Sequence, residues 1–231
     1  EVFGEVIHCH HLIDTRPPQM SQKTYCQHFL GMELQFEHGF TQPIIMDFEG
    51  THSSAVNFTY VLPFSSNRLL IESTFFSYPG SINYESYIEK WMIKNTGFRL
   101  KDVTVVMQEK GVIPMCNYTQ HDLKIPRVGL AGDAMRPASG YAFLNLLKQI
   151  DQVVSDFENR RNLKTLSVHP FWVKTMDRIF LNVLQSYPNI APYCFMQLAH
   201  HMHADEYVAF LQAHCKLRTC LKVVSKALIL Q

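Results

Sequence analysis

Residues 56–76 place the tightest limit on what this chain can fold into. Val56, Phe58, Tyr60 and Leu62 alternate with their neighbours, the period of a half-buried strand. Ser65-Ser66-Asn67 is a turn, and Arg68-Leu-Leu-Ile-Glu-Ser-Thr-Phe-Phe76 returns as the next strand, so the two predict a hairpin. Met32, Leu34 and Phe36 alternate in the same way, and Val103 to Met107 is a further β-branched strand. One helix interrupts these strands. Tyr84, Tyr87, Ile88, Trp91 and Met92 share its inner face, with Asn83 to cap its start and Gly97 to end it. The zone from residue 1 to 126 therefore reads as one strand-rich domain.

A second, short zone spans 127–157. Arg127-Val-Gly-Leu-Ala131 is expected as a small apolar strand running into Gly132-Asp133. A helix of about five turns comes next, with Phe143, Leu146, Leu147, Ile150, Val153, Val154 and Phe157 on one face. The third zone, 158–231, is helical. Phe171 to Leu184 is amphipathic, Pro188 and Pro192 break the helical pattern after it, and a last helix is expected from about Asp205 to Leu230, interrupted near Cys215. The fold class is thus mixed, α+β or α/β, with an antiparallel sheet and helices toward the C-terminal end.

Composition narrows the function. Apolar residues make up 47% of the 231, too many for a disordered chain. Lys plus Arg is 21 against 20 Asp plus Glu, so no basic field exists to hold nucleic acid. No apolar run approaches the ~18 residues of a transmembrane helix. No signal segment follows Glu1, and the six cysteines show no C-x-x-C pair, so they are expected to be reduced and the protein cytoplasmic. Residue 1 is Glu rather than Met, which leads us to expect an internal fragment with a missing N-terminal portion.

Gly129-Leu-Ala-Gly132-Asp133-Ala-Met-Arg136-Pro137-Ala-Ser-Gly140-Tyr141 is the strongest local signal. Gly132 and Gly140 let a backbone approach a ligand closely, and the helix N-terminus after them offers free N–H groups to an anion. Asp133 has two readings: an acceptor for a sugar-like hydroxyl, or a helix N-cap. The G-x-G-x-x-G fingerprint is absent, so the segment that normally holds the ADP part of a dinucleotide is not in this chain.

Glu72 sits in an apolar strand with Leu70, Thr74 and Phe76 on its own side. If buried there, desolvation raises its pKa and makes it a general acid; if that side faces water, it is an ordinary surface carboxylate. The clusters His8, His10, His11 and His200, His201, His203 with Glu206 lack a closed ligand set, so no metal is expected. Arg218, Lys222 and Lys226 stripe the last helix beside Leu217, Leu221, Val224 and Leu228, which suits either an anionic membrane surface or plain solvent.

A series of segments, in order, resembles the flavin-dependent lycopene β-cyclases of bacterial type. Leu12-Ile-Asp14-Thr-Arg16-Pro17 resembles their Asp-x-Arg segment, and Tyr25-Cys-Gln27-His-Phe29-Leu-Gly31 their Gln-x-Phe-x-Gly stretch. Pro43-Ile-Ile-Met46-Asp47 resembles one strand. Phe58-Thr-Tyr60-Val-Leu-Pro63-Phe-Ser65, followed by Arg68-Leu-Leu-Ile71-Glu72, resembles the next two. Gly111-Val-Ile-Pro114-Met and Arg136-Pro137-Ala-Ser139-Gly140-Tyr141 close the series.

The resemblance implies cyclisation of the linear ψ-ends of lycopene into β-rings, with reduced FAD, NAD(P)H as reductant and no net redox change. It implies that Glu72 is the key acid. It also implies a flavoprotein fold lacking its N-terminal Rossmann portion: 1–126 a substrate domain, 127–157 the strand, turn and helix that close over the flavin, and 158–231 a helical region. Gly132, Asp133, Arg136, Pro137, Gly140 and Tyr141 would meet the flavin, while Phe58, Tyr60 and Phe76 would offer aromatic faces to a carbocation. A carotenoid substrate implies a protein peripheral to a membrane. Two departures stand out. Ser73 occupies the place of a second Glu found in plant-like members. Gly132-Asp133 is closer to the flavin hydroxylases, which keeps a hydroxylase or prenyl reductase of the same fold, and a truncated non-catalytic paralogue, as rival readings.

Overall fold

The alternating segments assemble into one five-stranded antiparallel sheet. In the computed structural model, which describes residues 6, 8–17, 20–48, 54–116 and 125–212, its strands are β1 (Cys26–Gln35), β2 (Ile44–Asp47), β3 (Val56–Ser65), β4 (Arg68–Ser77) and β5 (Thr104–Pro114). They lie in the order β2-β3-β4-β1-β5. The expected hairpin is present, with Tyr60 opposite Glu72 and Phe58 opposite Thr74. The last strand is longer than the β-branched run alone suggests, because Gly111 to Pro114 continue the ladder to Gln27 and Cys26.

Side-chain alternation gives the sheet two faces. Leu30, Met32 and Leu34 of β1, Val61 of β3, and Leu69, Ile71 and Phe75 of β4 form one face. Helix α1 (Tyr84–Thr96) packs on that face through Tyr84, Ile88, Trp91 and Met92. The helix starts where Asn83 accepts a hydrogen bond from the Ser86 N–H at 3.3 Å. It stops at Gly97, whose φ of 78° is left-handed and whose N–H reaches Ile93 O. The Trp91 indole donates to Asp47 Oδ2 at 2.8 Å, which ties α1 to the end of β2.

The remaining helices are α2 (Phe143–Glu158), α3 (Phe171–Ser186), α4 (Ala191–His200) and α5 (Ala204–Leu211). The fold is therefore α+β with an antiparallel sheet. Its described residues divide into two compact units: 20–48, 54–116 and 179–203 in one, and 6, 8–17, 125–178 and 204–212 in the other. These cut the chain differently from the three sequence zones. Residues 179–203 join the sheet because Phe180 and Phe195 enter its ring cluster, Phe195 lying 6.5 Å from Phe76.

Three local expectations need correction. Arg127–Ala131 is not a strand: Arg127 makes a single parallel bridge to Asp14, and Gly129–Gly132 winds into a 3₁₀ turn. With one partner residue, no ladder can extend. Pro192 does not break a helix but sits in the first turn of α4, where its missing N–H costs nothing. On α2 the apolar stripe is outward, Phe143 at 66% and Phe157 at 59% exposed, while Asn145, Gln149 and Asp156 are buried. Of the expected last helix, α5 covers the start. The stripe of Arg218, Lys222 and Lys226, with Leu217, Leu221, Val224 and Leu228, lies outside the described residues.

Ile88 is fully buried between α1 and the sheet. Ile88→Ala is expected to lower stability by about 2–4 kcal/mol through lost transfer energy and a cavity. Urea unfolding followed by tryptophan fluorescence measures it.

Candidate functional site

Glu72 projects from the face of the sheet opposite α1. Across β3 it meets Tyr60, and across β1 it meets Gly31. Thr74 Oγ1, two residues along the same side, donates to Glu72 Oε1 at 2.8 Å. Phe58 and Phe76 are buried beside it. Phe58 stands edge-on to Tyr60 at 5.1 Å and to Phe76 at 5.5 Å between ring centroids. The carboxyl is half-buried, and burial pushes it above the ordinary carboxyl value. The Thr74 hydrogen bond pulls the other way, and the negative charge of Glu109 on β5 adds to the rise.

The structure thus brings Glu72, Phe58, Tyr60 and Phe76 onto one face, the four residues singled out from that zone. Sequence reading missed the rest of the ring cluster. Phe48 lies 5.6 Å from Phe58, and Phe195 of α4 stacks on Phe48 at 5.8 Å and 23°. No local pattern links Phe195 to the sheet, because its apolar helix position is equally that of any core residue.

The other unit carries the glycine-rich segment. Asp133 is left-handed, with φ 60°, and caps the Gly129–Gly132 turn rather than α2, whose own cap residue is Ala142. Asp133 Oδ2 pairs with Lys174 of α3. Its Oδ1 is buried without a hydrogen-bond partner among the described residues, as are both ring nitrogens of buried His169. Burial lowers the His169 pKa, opposed by Asp133, the Ala134 backbone and Asp177, while the positive charge of Lys174 adds to the fall. Gly132 is required by the chain itself: a Cβ there would lie 2.5 Å from Arg127 O. Gly140 adopts φ 69° in a turn over buried Pro137, its N–H bonded to Arg136 O at 2.9 Å, and Tyr141 O accepts from Arg136 N at 2.8 Å.

Arg136, expected at a cofactor, is turned inward. Its guanidinium donates to both oxygens of Asp177, the shortest bond 2.8 Å, and to Phe210 O, and it lies over the Phe210 ring. What the segment retains for a hydroxyl-rich group is the buried, unpartnered Asp133 Oδ1 with His169, and the start of α2, whose cap residue Ala142 offers no side-chain hydrogen bond. The Asp-x-Arg stretch is likewise local: Arg16 locks Asp14 with three bonds of 2.9–3.1 Å, which hold its pKa down at about 2.

The sequence profile described as "Lycopene cyclase protein" matches residues 3–229. The chain belongs to the lycopene cyclase family. It is 29% identical over 140 residues to the lycopene beta-cyclase of a Paracoccus species, covering 56% of this chain and 35% of that protein. It is 28% identical over 150 residues to the lycopene beta-cyclase of Pantoea ananas, covering 60% and 39%. The matched segment thus spans less than half the length of either relative. Among solved structures, a geranylgeranyl bacteriochlorophyll reductase-like protein from Thermoplasma acidophilum aligns with TM-score 0.48 and 12% identity, over 91% of this chain and 54% of that one.

Gln149 explains the polar inner side of α2. Its Oε1 accepts from Gly129 N at 2.9 Å, and its Nε2 donates to Gly132 O at 2.6 Å and Leu166 O at 3.1 Å. Gln149→Leu keeps the volume but leaves these backbone groups unpaired, at roughly 1–3 kcal/mol each. A fall of at least ~2 kcal/mol in a denaturant titration is expected.

Proposed function

We propose that the complete protein is a lycopene β-cyclase, an isomerase that closes the ψ-ends of lycopene into β-rings with Glu72 as the acid. One observation carries the reading: in a member of the lycopene cyclase family, the carboxyl of Glu72 stands half-buried beside aromatic rings, its pKa raised by burial. A proton passes from Glu72 to the terminal alkene, whose electron pair forms the new C–H bond. The neighbouring alkene then attacks the carbon left positive and closes the ring. A ring proton then passes to solvent, which neutralises the product, and the Glu72 carboxylate takes a proton back from solvent, so one proton enters and one leaves.

The faces of Phe58, Tyr60 and Phe76 stabilise the positive carbon by cation–π attraction. A reduced flavin, kept reduced by NAD(P)H, would supply the negative potential that such a cation needs. In this reading Asp133 Oδ1, His169 and the backbone of residues 133–142 hold the flavin, while Arg136 acts from behind by fixing the turn. The substrate is a hydrocarbon that partitions into bilayers, so the protein works at a membrane surface, and among the described residues no helix is long and apolar enough to cross one.

Glu72→Gln keeps size and polarity but has no transferable proton. Expressed in cells that accumulate lycopene, it is expected to lose at least ~10²-fold in β-ring product, while wild-type levels by chromatography overturn the assignment. Because the Glu72 pKa is raised, its neutral form is favoured by folding: this stability is complete below the ordinary carboxyl pKa and is lost as pH rises through the raised one. Cyclisation falls over the same rise, and Glu72→Gln flattens the pH dependence of unfolding there.

The flavin contact has its own test. Asp133→Ala in the complete protein is expected to weaken FAD binding about tenfold, the scale of one lost hydrogen bond. Equilibrium dialysis measures it, and an unchanged dissociation constant would leave Asp133 only its pair with Lys174.

A further inference from the structure

We infer that Thr74 and Gly31 together decide which oxygen of Glu72 delivers the proton: Oε1 is held, and Oε2 is the donor. The inference rests on the proposed role of Glu72 and goes beyond it to the atom. Thr74 Oγ1 donates to Oε1 at 2.8 Å. In a neutral carboxyl the oxygen that accepts a hydrogen bond is the carbonyl oxygen, so the proton resides on Oε2. Oε2 points toward Gly31, the cross-strand neighbour on β1 that lacks a side chain. A methyl group on Gly31 would lie 3.6 Å from Oε2 and 3.5 Å from Leu70 Cδ1. Gly31 is buried, and its missing side chain leaves a methyl-sized space beside the acidic hydrogen, bounded by Leu70 and Glu72 itself. An end group arriving over Gly31 meets that hydrogen directly. The O–H bond at Oε2 breaks, the alkene electron pair forms the C–H bond, and Glu72 remains as a carboxylate still bonded to Thr74.

The neighbouring groups on that face are Tyr60 on β3, Glu109 on β5, and the ion pair of Glu33 with Arg68 one pair further along. None of them is a cation aimed singly at Glu72. Thr74 also settles the carboxylate once it forms, since its hydrogen bond favours the ionised state. It is a positioning residue; in the inference, Gly31 supplies the methyl-sized space in which the reacting alkene carbon meets Oε2.

The test uses the full-length enzyme with reduced flavin and lycopene in phosphatidylcholine vesicles. Thr74→Val is expected to lower kcat about tenfold, the scale of one hydrogen bond, and to move the basic limb of the kcat/KM profile to higher pH. Thr74→Ser keeps the hydroxyl and is expected to restore that limb and all but a few-fold of the rate. Gly31→Ala makes only ordinary van der Waals contacts, so it folds. It is expected to lower kcat/KM about tenfold by crowding Oε2, with the limb in place. An unmoved limb and rate in Thr74→Val, or a wild-type kcat/KM in Gly31→Ala, overturns the inference; if Thr74→Val does not fold, Gly31→Ala decides alone. Glu72→Gln separates the two failures. If it is inactive while these variants match the wild type, only the assignment of the oxygen falls. If it turns over normally, the proposed acid falls with it.

Discussion

The register of β4 against its neighbours decides what each of its residues can do. Leu69, Ile71 and Phe75 face α1, and Leu70, Glu72, Thr74 and Phe76 face the other way. A slip of one residue would exchange the two sets, pressing the Glu72 carboxyl against Ile88 and Met92 and exposing Ile71. Burying an aliphatic or aromatic side chain of this kind stabilises by about 1.5–3 kcal/mol, so three of them contribute more than half-burial of one carboxyl costs. Arg68 and Glu33 pin the hairpin end of the same ladder, with Arg68 Nε 2.8 Å from Glu33 Oε1. The acid is thus held in its setting by apolar residues on the opposite side of the sheet, none of which touches it.

The other unit solves a different problem by polar means. Its turn at 129–141 lacks a ladder, so its backbone groups find partners in Gln149 and its charges in α3. Lys174 takes Asp133 and Asp177 takes Arg136, three residues apart on one helix face. A buried pair such as Arg136–Asp177 adds little net stability, because desolvation offsets attraction, but losing one partner is severe. Its effect is to fix Arg136 inside the turn, while Asp133 keeps one oxygen, Oδ1, without a partner among the described residues.

These differences also explain what could be read from the chain. Strand alternation and helix capping act within a few residues, so the hairpin, α1 with Asn83 and Gly97, and the side of β4 on which Glu72 lies were legible. Whether that side was dry was not, since it depends on Gly31, Tyr60 and Glu109 from three other strands. Arg136 and Asp177 lie 41 residues apart, and nothing local marks Arg136 as structural. The amphipathic pattern of α2 shows two faces, but the inward one was chosen by the hydrogen bonds of Gln149.

Ser73 bears on how many acids this sheet can offer. It follows Glu72 directly, and strand geometry turns it to the opposite face, where it is fully buried and its hydroxyl has no partner among the described residues. A carboxyl at 73 would therefore enter the α1 side of the sheet and could not join Glu72 at the same alkene without a local break in the ladder. The like charge that Glu72 does meet is Glu109, exposed on β5 beyond Gly31. Placed there, the negative charge of Glu109 favours the neutral form of Glu72. On this face Glu33 is taken up by Arg68, and Gly31 lies between the two remaining carboxyls, the half-buried Glu72 and the exposed Glu109.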